Sequence, residues 1–243
     1  PYPPYTTSTL QQDASKKLGF TTKKTMIVAQ QLYEGIDLKK EGTTGLITYM
    51  RTDSTRISSE AIDLTKKYIV KNYGVEYSNG GRDYGKKTKK ATQDGHEAIR
   101  PTNITRHPEE IKELLSKEQF KLYKLIWDRF VGSQMKDAIY DTLNVSILNK
   151  DYLFRATGSK LVFTGFLEVY ITADEEVKDM KIPDLKVDDS LKLEELIPKQ
   201  NFTQPPTRYS EASLIKTLEE LGIGRPSTFA PTISTILSRG YVL

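Results

Sequence analysis

Gly45-Leu46-Ile47-Thr48-Tyr49-Met50-Arg51-Thr52-Asp53-Ser54 is the stretch from which the chain is read outward. Leu46 to Met50 mixes aliphatic, β-branched and aromatic side chains, which predicts a short extended segment. Thr52, Asp53 and Ser54 then supply side-chain oxygens that favour a turn. Side chains two apart on an extended backbone point the same way, so Tyr49 and Arg51 are expected on one face. A phenol beside a guanidinium suits phosphate chemistry: the phenol oxygen can attack phosphorus, and arginine's planar fork matches two phosphoryl oxygens while keeping its charge. An arbitrary Tyr-x-Arg is usually just an amphipathic strand edge, so the pair needs support from elsewhere in the chain.

Composition sets the frame. At 243 residues and 37% apolar content, the chain can bury a sizeable core, in one large domain or in two to three small ones. A formal charge of +4 permits a nucleic-acid partner without demanding one. With no cysteine there is neither a disulfide framework nor a thiolate metal site. No apolar run is long enough to span a bilayer and no signal-peptide pattern opens the chain, which predicts a soluble, cytoplasmic protein without a membrane partner. The start at Pro1-Tyr2-Pro3-Pro4 and the stop at Leu243 suggest an excised fragment.

Before the tyrosine stretch, Ser8 and Gln11 have the form of a capping box, and Leu10, Ala14 and Leu18 make an apolar stripe ending at Gly19. A second helix is expected from near Thr22, with Met26, Ala29 and Tyr33 on one face and Gly35 at its end. Two short helices joined by Gly19-Phe20-Thr21 resemble a helix-turn-helix, a shape used on DNA and also in plain packing. Asp37 to Thr44 reads as an exposed loop.

Beyond the stretch, Ser58 is the expected N-cap of a helix carrying Ile57, Ala61, Leu64 and Tyr68 at helical spacing. Asn79 to Gln93, with Lys86, Lys87, Lys89 and Lys90, reads as a solvated loop more than a dedicated phosphate contact. His96 follows in Gly95-His96-Glu97-Ala98-Ile99-Arg100-Pro101; a histidine can share a proton near neutral pH or donate to a phosphate oxygen. Pro108, Glu109 and Glu110 suit a helix start, and Ser116 with Gln119 opens another. Phe120, Tyr123, Trp127, Phe130 and Val131 on that helix are read as core.

Around Asp137 the period changes to alternation: Leu143, Val145 and Ile147 alternate with Asn144 and Ser146. Asn149-Lys150-Asp151 looks like a hairpin turn into Tyr152 to Thr157. Leu161 to Val169 and Leu191 to Leu196 are further strand candidates, separated by an acidic linker around Asp174 to Asp189. Phe202-Thr203-Gln204-Pro205-Pro206 is a rigid connector. Ser210 caps a helix bearing Ala212, Ile215 and Leu218, and the Gly224-Arg225-Pro226-Ser227-Thr228 turn leads to a last helix with Phe229, Ile233 and Ile236. An arginine in a hydroxyl-bearing turn at a helix start is well matched to backbone phosphates.

Ile47-Thr48-Tyr49-Met50-Arg51-Thr52-Asp53-Ser54 closely resembles the active-site signature of the type IA DNA topoisomerases, in the form found in bacterial topoisomerase I. His96-Glu97-Ala98-Ile99-Arg100-Pro101 and the run from Pro205 through Ser210-Glu211-Ala212-Ser213-Leu214 to Gly222-Ile223-Gly224-Arg225-Pro226-Ser227-Thr228 agree in the family's order. The resemblance covers essentially the whole chain. It implies a multidomain α+β protein. Residues 7–136 would form a helical domain with helix-turn-helix-like units carrying the active-site tyrosine. Residues 137–201 would form an antiparallel β-rich arm arching over the DNA gate, and 202–243 a C-terminal helical segment, part of a DNA-groove domain.

The resemblance further implies transient cleavage and religation of single-stranded DNA through a 5′-phosphotyrosyl intermediate, relaxing negative supercoils in negatively supercoiled duplex DNA without ATP. Tyr49, Arg51 and His96 would be catalytic, with Arg51, Arg100, Arg225, Ser227 and Thr228 as DNA contacts. A free phenol titrates near about 10, so cations beside the nucleophile would favour its ionised form. The family's Mg2+ is held by an N-terminal Toprim domain of the same chain, whose Asp-x-Asp-x-Glu pattern is not found here. Asp184-Leu185-Lys186-Val187-Asp188-Asp189 has the wrong spacing, so no metal ligand is expected in this stretch and the fragment alone is expected not to relax DNA. A monomeric, nucleoid-associated protein is implied. The competing reading is a non-catalytic single-stranded DNA-binding module in which Tyr49 stacks on bases.

Overall fold

A computed structural model of the chain describes residues 1–85, 95–171 and 185–242. The lysine cluster from Lys86 to Lys90 and most of the acidic linker lie outside the described residues.

Local capping chemistry sets the helix starts. Helix α1, Thr7–Leu18, begins two residues earlier than its Ser8–Gln11 pattern suggests, because Thr6 and Thr9 close a reciprocal box: Thr6 Oγ1 accepts from the Thr9 amide and Thr9 Oγ1 from the Thr6 amide. Gly19, at φ 64°, ends the helix in the left-handed conformation that a glycine adopts without strain. Helix α2, Thr22–Glu34, follows from the Thr21 cap, and α3, Ser59–Asn72, from the Ser58 cap. Helix α4, Lys117–Ser133, opens with the Ser116–Gln119 box. The segment after Pro108 is a 3-10 helix, Pro108–Leu114, rather than an α-helix, and His107 serves as its cap, Nδ1 accepting from the Glu109 amide at 3.3 Å.

The core is organised by α4. Leu122, Tyr123, Ile126, Trp127, Phe130 and Val131 are all fully or almost fully buried, as their period implies, against α1 and α2. The two polar tips among them are satisfied: Trp127 Nε1 donates to the Ile104 carbonyl at 3.1 Å and Tyr123 donates to that of Arg106 at 2.9 Å. Helix α3 turns a different stripe inward from the one expected. Thr65 and Ile69 are buried with Ala61, whereas Leu64 is 50% exposed. Positions three and four along from Ala61 fit a helix face equally well, and Thr65 fits inside because its hydroxyl donates back to the Ala61 carbonyl at 2.7 Å.

Two small antiparallel sheets complete the described fold. Strands β1, Ile36–Asp37, and β2, Thr43–Thr44, form one. The other is a long hairpin of β3, Ile139–Asn149, and β4, Tyr152–Phe163, turning at Lys150 with φ 53°. Strand β4 continues past Thr157 to Phe163, so the expected strand from Leu161 to Val169 is split. Its second half is the 3-10 turn Gly165–Glu168, which returns Phe166, Leu167 and Tyr170 to the core. Leu191 to Leu196 forms no strand and lies exposed; alternation of apolar residues needs a neighbouring strand to become a sheet. Helices α5, Glu211–Glu220, and α6, Phe229–Ser238, share a small core of Ile215, Phe229 and Ile233 and pack on α1 and α2 respectively. Ser8 donates to Glu219 at 2.7 Å, and Glu211 accepts the Thr22 amide at the start of α2, also at 2.7 Å.

One buried polar cluster ties the chain's beginning to the end of the main core. Tyr170 donates to Asp13 Oδ2, Tyr5 donates to the same oxygen at 2.7 Å, and Arg129 donates through Nε to the Pro3 carbonyl at 2.6 Å and through Nη1 to the Tyr170 hydroxyl at 3.0 Å. Burial pushes the Tyr5 phenol well above its usual range and that of Tyr170 up to about 12. A phenol raised in the folded state holds its proton there longer than in the unfolded chain. Stability is therefore full below about pH 10 and declines from there toward pH 12.

Two outcomes follow for denaturant unfolding of the chain. Ile69→Ala should cost on the order of 2–5 kcal/mol, and Leu64→Ala well under half of that, because only the former empties core volume. The unfolding midpoint should fall as pH rises from about 10 toward 12, and less steeply in Tyr170→Phe; an unchanged slope in that variant would remove Tyr170 from the account.

Candidate active site

Leu46 to Met50 is not a strand of a sheet. It is a buried connecting segment stitched on two sides. On one side the Thr102 amide donates to the Leu46 carbonyl at 3.0 Å, Ile47 forms an isolated bridge with Pro101, and the Thr48 amide donates to the Arg100 carbonyl at 2.9 Å. The Thr48 hydroxyl donates to the Ala98 carbonyl at 2.7 Å. Its pairing with residues 98–102 amounts to one isolated bridge, so its β-rich composition yields paired backbone without a ladder.

On the other side stands Thr7, in the first turn of α1. Its hydroxyl donates to the Met50 carbonyl at 2.6 Å and accepts from the Thr52 amide at 2.9 Å, and its own amide donates to the Thr52 carbonyl, also at 2.9 Å. The backbone on both sides of Arg51 is thus fixed by one fully buried residue. Leu46, Ile47 and Met50 are buried beneath, leaving Tyr49 half-buried and Arg51 exposed.

Tyr49 lies between two rings. Its ring centroid is 5.0 Å from that of His96 and 5.3 Å from that of Tyr33, the latter edge-on at 66°. The stitching of Thr48 to Ala98 brings His96 to Tyr49 across a large separation in sequence. Tyr33, at the end of α2, was expected on that helix's core face; it is instead 40% exposed and shields one side of Tyr49. Arg100 is turned inward: Nε donates to Glu97 at 2.7 Å and Nη1 to the Pro101 carbonyl at 3.0 Å, with 15% of its side chain exposed. It braces its own motif.

Two depressions lie where this turn meets α5 and α6. The smaller, about 160 Å³, is bounded by Thr52 and Asp53 on one side and by Glu219, Gly224, Arg225 and Pro226 on the other. The larger, about 640 Å³, runs between α2 and α6 and has Arg51, Pro226 and Ser227 among its lining residues. Arg225 is exposed, with its amide donating to Thr228 Oγ1 at 2.8 Å and Nη1 to the Gly224 carbonyl at 2.8 Å. Thr228 Oγ1 also donates to the Arg225 carbonyl at 3.1 Å, so that hydroxyl holds the turn, while Ser227 is exposed at the cleft. The structure thereby packs His96 on Tyr49, sets Arg225 across the smaller depression from Thr52 and Asp53, and puts Ser227 with Arg51 in the lining of the larger one. Thr7 and Tyr33 were missed as site residues; only their partners in space, not their sequence, mark them out. Among the described residues no three His, Asp or Glu side chains gather to hold a metal ion, so these residues do not fit a Mg2+ site.

The DNA topoisomerase family model matches residues 1–243, and the chain belongs to that family, in its bacterial type IA branch. Its fold is similar to full-length topoisomerase I from Thermotoga maritima, with a TM-score of 0.81 and 40% sequence identity. The match covers 100% of this chain and 39% of that one, so the chain spans well under half of the relative's length. Among the described residues no helix is long and apolar enough to cross a membrane.

The role of Thr7 is checked by Thr7→Val, which keeps the shape and deletes the hydroxyl. The Met50 carbonyl and the Thr52 amide lose a buried partner, so unfolding should cost on the order of 1–3 kcal/mol less. Thr7→Ser, which keeps the hydroxyl and drops the methyl group, should lose much less; a loss in Thr7→Ser with none in Thr7→Val would assign the effect to packing of the methyl group.

Proposed function

We propose that this chain carries the nucleophile of a type IA topoisomerase reaction: transient cleavage and religation of single-stranded DNA, relaxing negatively supercoiled duplex DNA in the intact enzyme. Tyr49 Oη attacks a backbone phosphorus. The new bond is O–P to the phenol, the bond that breaks is P–O3′, the phenol proton leaves, and the departing 3′-oxygen takes up a proton. Resealing is the reverse exchange of one phosphodiester for another, which needs no ATP.

The observation that carries this reading is the His96 ring set 5.0 Å from that of half-buried Tyr49, with Arg51, two residues further along the same segment, exposed in the lining of the α2–α6 cleft. Arg51 is exposed where a bidentate grip on the phosphoryl oxygens would stabilise developing charge. His96, one ring away from the phenol, would place a phosphate oxygen or relay a proton. Arg225 and Ser227, across the turn, would hold the strand by its backbone. Magnesium, the Toprim domain that would bind it, and a nucleoid-associated monomer in the cytoplasm belong to the proposal for the intact protein, and no step above is routed through the metal. Because the chain spans 39% of its full-length relative, it is expected not to relax DNA by itself.

Single-turnover cleavage of a labelled oligonucleotide by the full-length protein, alongside equilibrium binding, separates the roles. Tyr49→Phe should abolish the covalent adduct and leave non-covalent binding intact. Arg51→Lys should slow cleavage roughly a hundredfold or more while weakening binding far less, the pattern for a group acting on the transition state. Adduct formation by Tyr49→Phe would show the nucleophile to be misassigned. Undiminished binding with no adduct from the unaltered protein would favour the binding-module reading.

A further inference from the structure

The α2–α6 cleft has features that the transfer of a phosphoryl group does not call on. Its volume, about 640 Å³, is that of a small-molecule site. Met26 and Ile27 on α2 face Pro226, Ala230 and Pro231 at the start of α6, so its walls are aliphatic. Ile27 is 50% exposed, an apolar side chain left uncovered at the opening. Arg51 and Lys23 bring positive charge to the same cleft.

Polar groups are present too: the Glu34 carboxylate, an acceptor taken up by the Gln30 amide, and donors. Gln31 also lines the cleft; its carbonyl oxygen is occupied by Gln119 Nε2 at 3.0 Å, and its own amide N–H groups have no partner among the described residues. A flat apolar body needing a few hydrogen-bond donors, attached to an anion, is what these walls and charges fit. That is the chemistry of a nucleotide.

We propose that the cleft is a base-binding subsite for one nucleotide of the cleaved strand, adjoining the phosphate held by Arg51. This rests on the reading of Tyr49 and Arg51 given above and adds to it where the neighbouring base goes. Continuity carries the assignment: Arg51 belongs both to the turn that bears Tyr49 and to the lining of the cleft, and Tyr33, packed on Tyr49, directly precedes the lining residue Glu34. A strand whose phosphate meets Arg51 therefore has an adjoining nucleoside over the aliphatic slot. The base would lie between Met26–Ile27 and the two prolines, as flipped bases lie between apolar side chains. Its carbonyl groups would meet the Gln31 donors.

The test is a cycle between the base and the cleft, read as binding and not as cleavage, in the full-length protein carrying Tyr49→Phe. Oligonucleotides with a single abasic site are scanned through the positions flanking the cleavage point. Abasic substitution at one position should weaken binding about tenfold or more, the scale for a base deprived of its face contacts. Ile27→Asp should weaken the intact oligonucleotide by a similar factor, and the two changes together should weaken it by little more than either alone. Ile27 is half exposed, so its replacement leaves the core intact, and Ser234→Leu, which fills the same space without adding charge, serves as the second variant. Multiplicative losses at every position in both variants would overturn the subsite while leaving the function reading in place. Absence of oligonucleotide binding altogether would overturn both. Free mononucleotides are the control for source: binding of a 5′-monophosphate with equal affinity to the strand would make the cleft a free-nucleotide site and overturn its assignment to the DNA.

Discussion

The Thr7 hydroxyl, donating to one carbonyl and accepting one amide on either side of Arg51, is the contact on which the proposed site depends. It couples the first turn of α1 to the reactive turn, and α1 is in turn packed against α2, α4 and α5. Because the coupling is made by a buried hydroxyl between two backbone groups, it fixes position rather than merely adding contact area. A turn built of threonine, aspartate and serine would by itself sample several conformations. Clamped from one side by Thr7 and from the other by the carbonyls of Ala98 and Arg100, it presents Tyr49 and Arg51 in one arrangement.

That arrangement explains why the two aromatic neighbours of Tyr49 come from distant parts of the chain. His96 is delivered by the same short antiparallel pairing that holds Thr48, and Tyr33 by the last turn of α2. The proposed nucleophile is thus half-buried among rings with its arginine in the open, an organisation suited to a reaction that must shield a covalent bond yet admit a long polymer. The inward ion pair of Arg100 with Glu97 stiffens the histidine motif from behind.

Much of this was legible in sequence wherever the signal is local. Ser58, Ser116 with Gln119, Ser210 and Gly19 mark helix ends through side-chain and backbone chemistry that acts within three or four residues. The aromatic stripe of α4 from Tyr123 onward and the hairpin at Lys150 were equally plain, although Phe120, expected in that stripe, is only partly buried beneath Lys112. What local reading lost depends on partners. Leu64 and Thr65 differ only in which neighbour α3 meets, and Leu191 to Leu196 alternates correctly but has no strand beside it. Within the site, Tyr49, Arg51 and His96 stood out by their chemistry. Thr7 and Tyr33 did not, since a threonine in a helix's first turn and a tyrosine on a helix face are ordinary until the fold sets them beside the reactive turn.

The seam between α1–α2 and α5 is closed by Glu219 on the Ser8 hydroxyl and Glu211 on the Thr22 amide. Each is a carboxylate meeting a neutral donor, not two opposite charges. Added salt weakens the attraction between separated exposed charges, such as those of Arg51 and Arg225 for a polyanion, much more than it weakens short hydrogen bonds of this kind. Ionic strength is therefore a selective lever on this molecule: it would loosen the proposed hold on a strand while the two halves of the cleft stay joined.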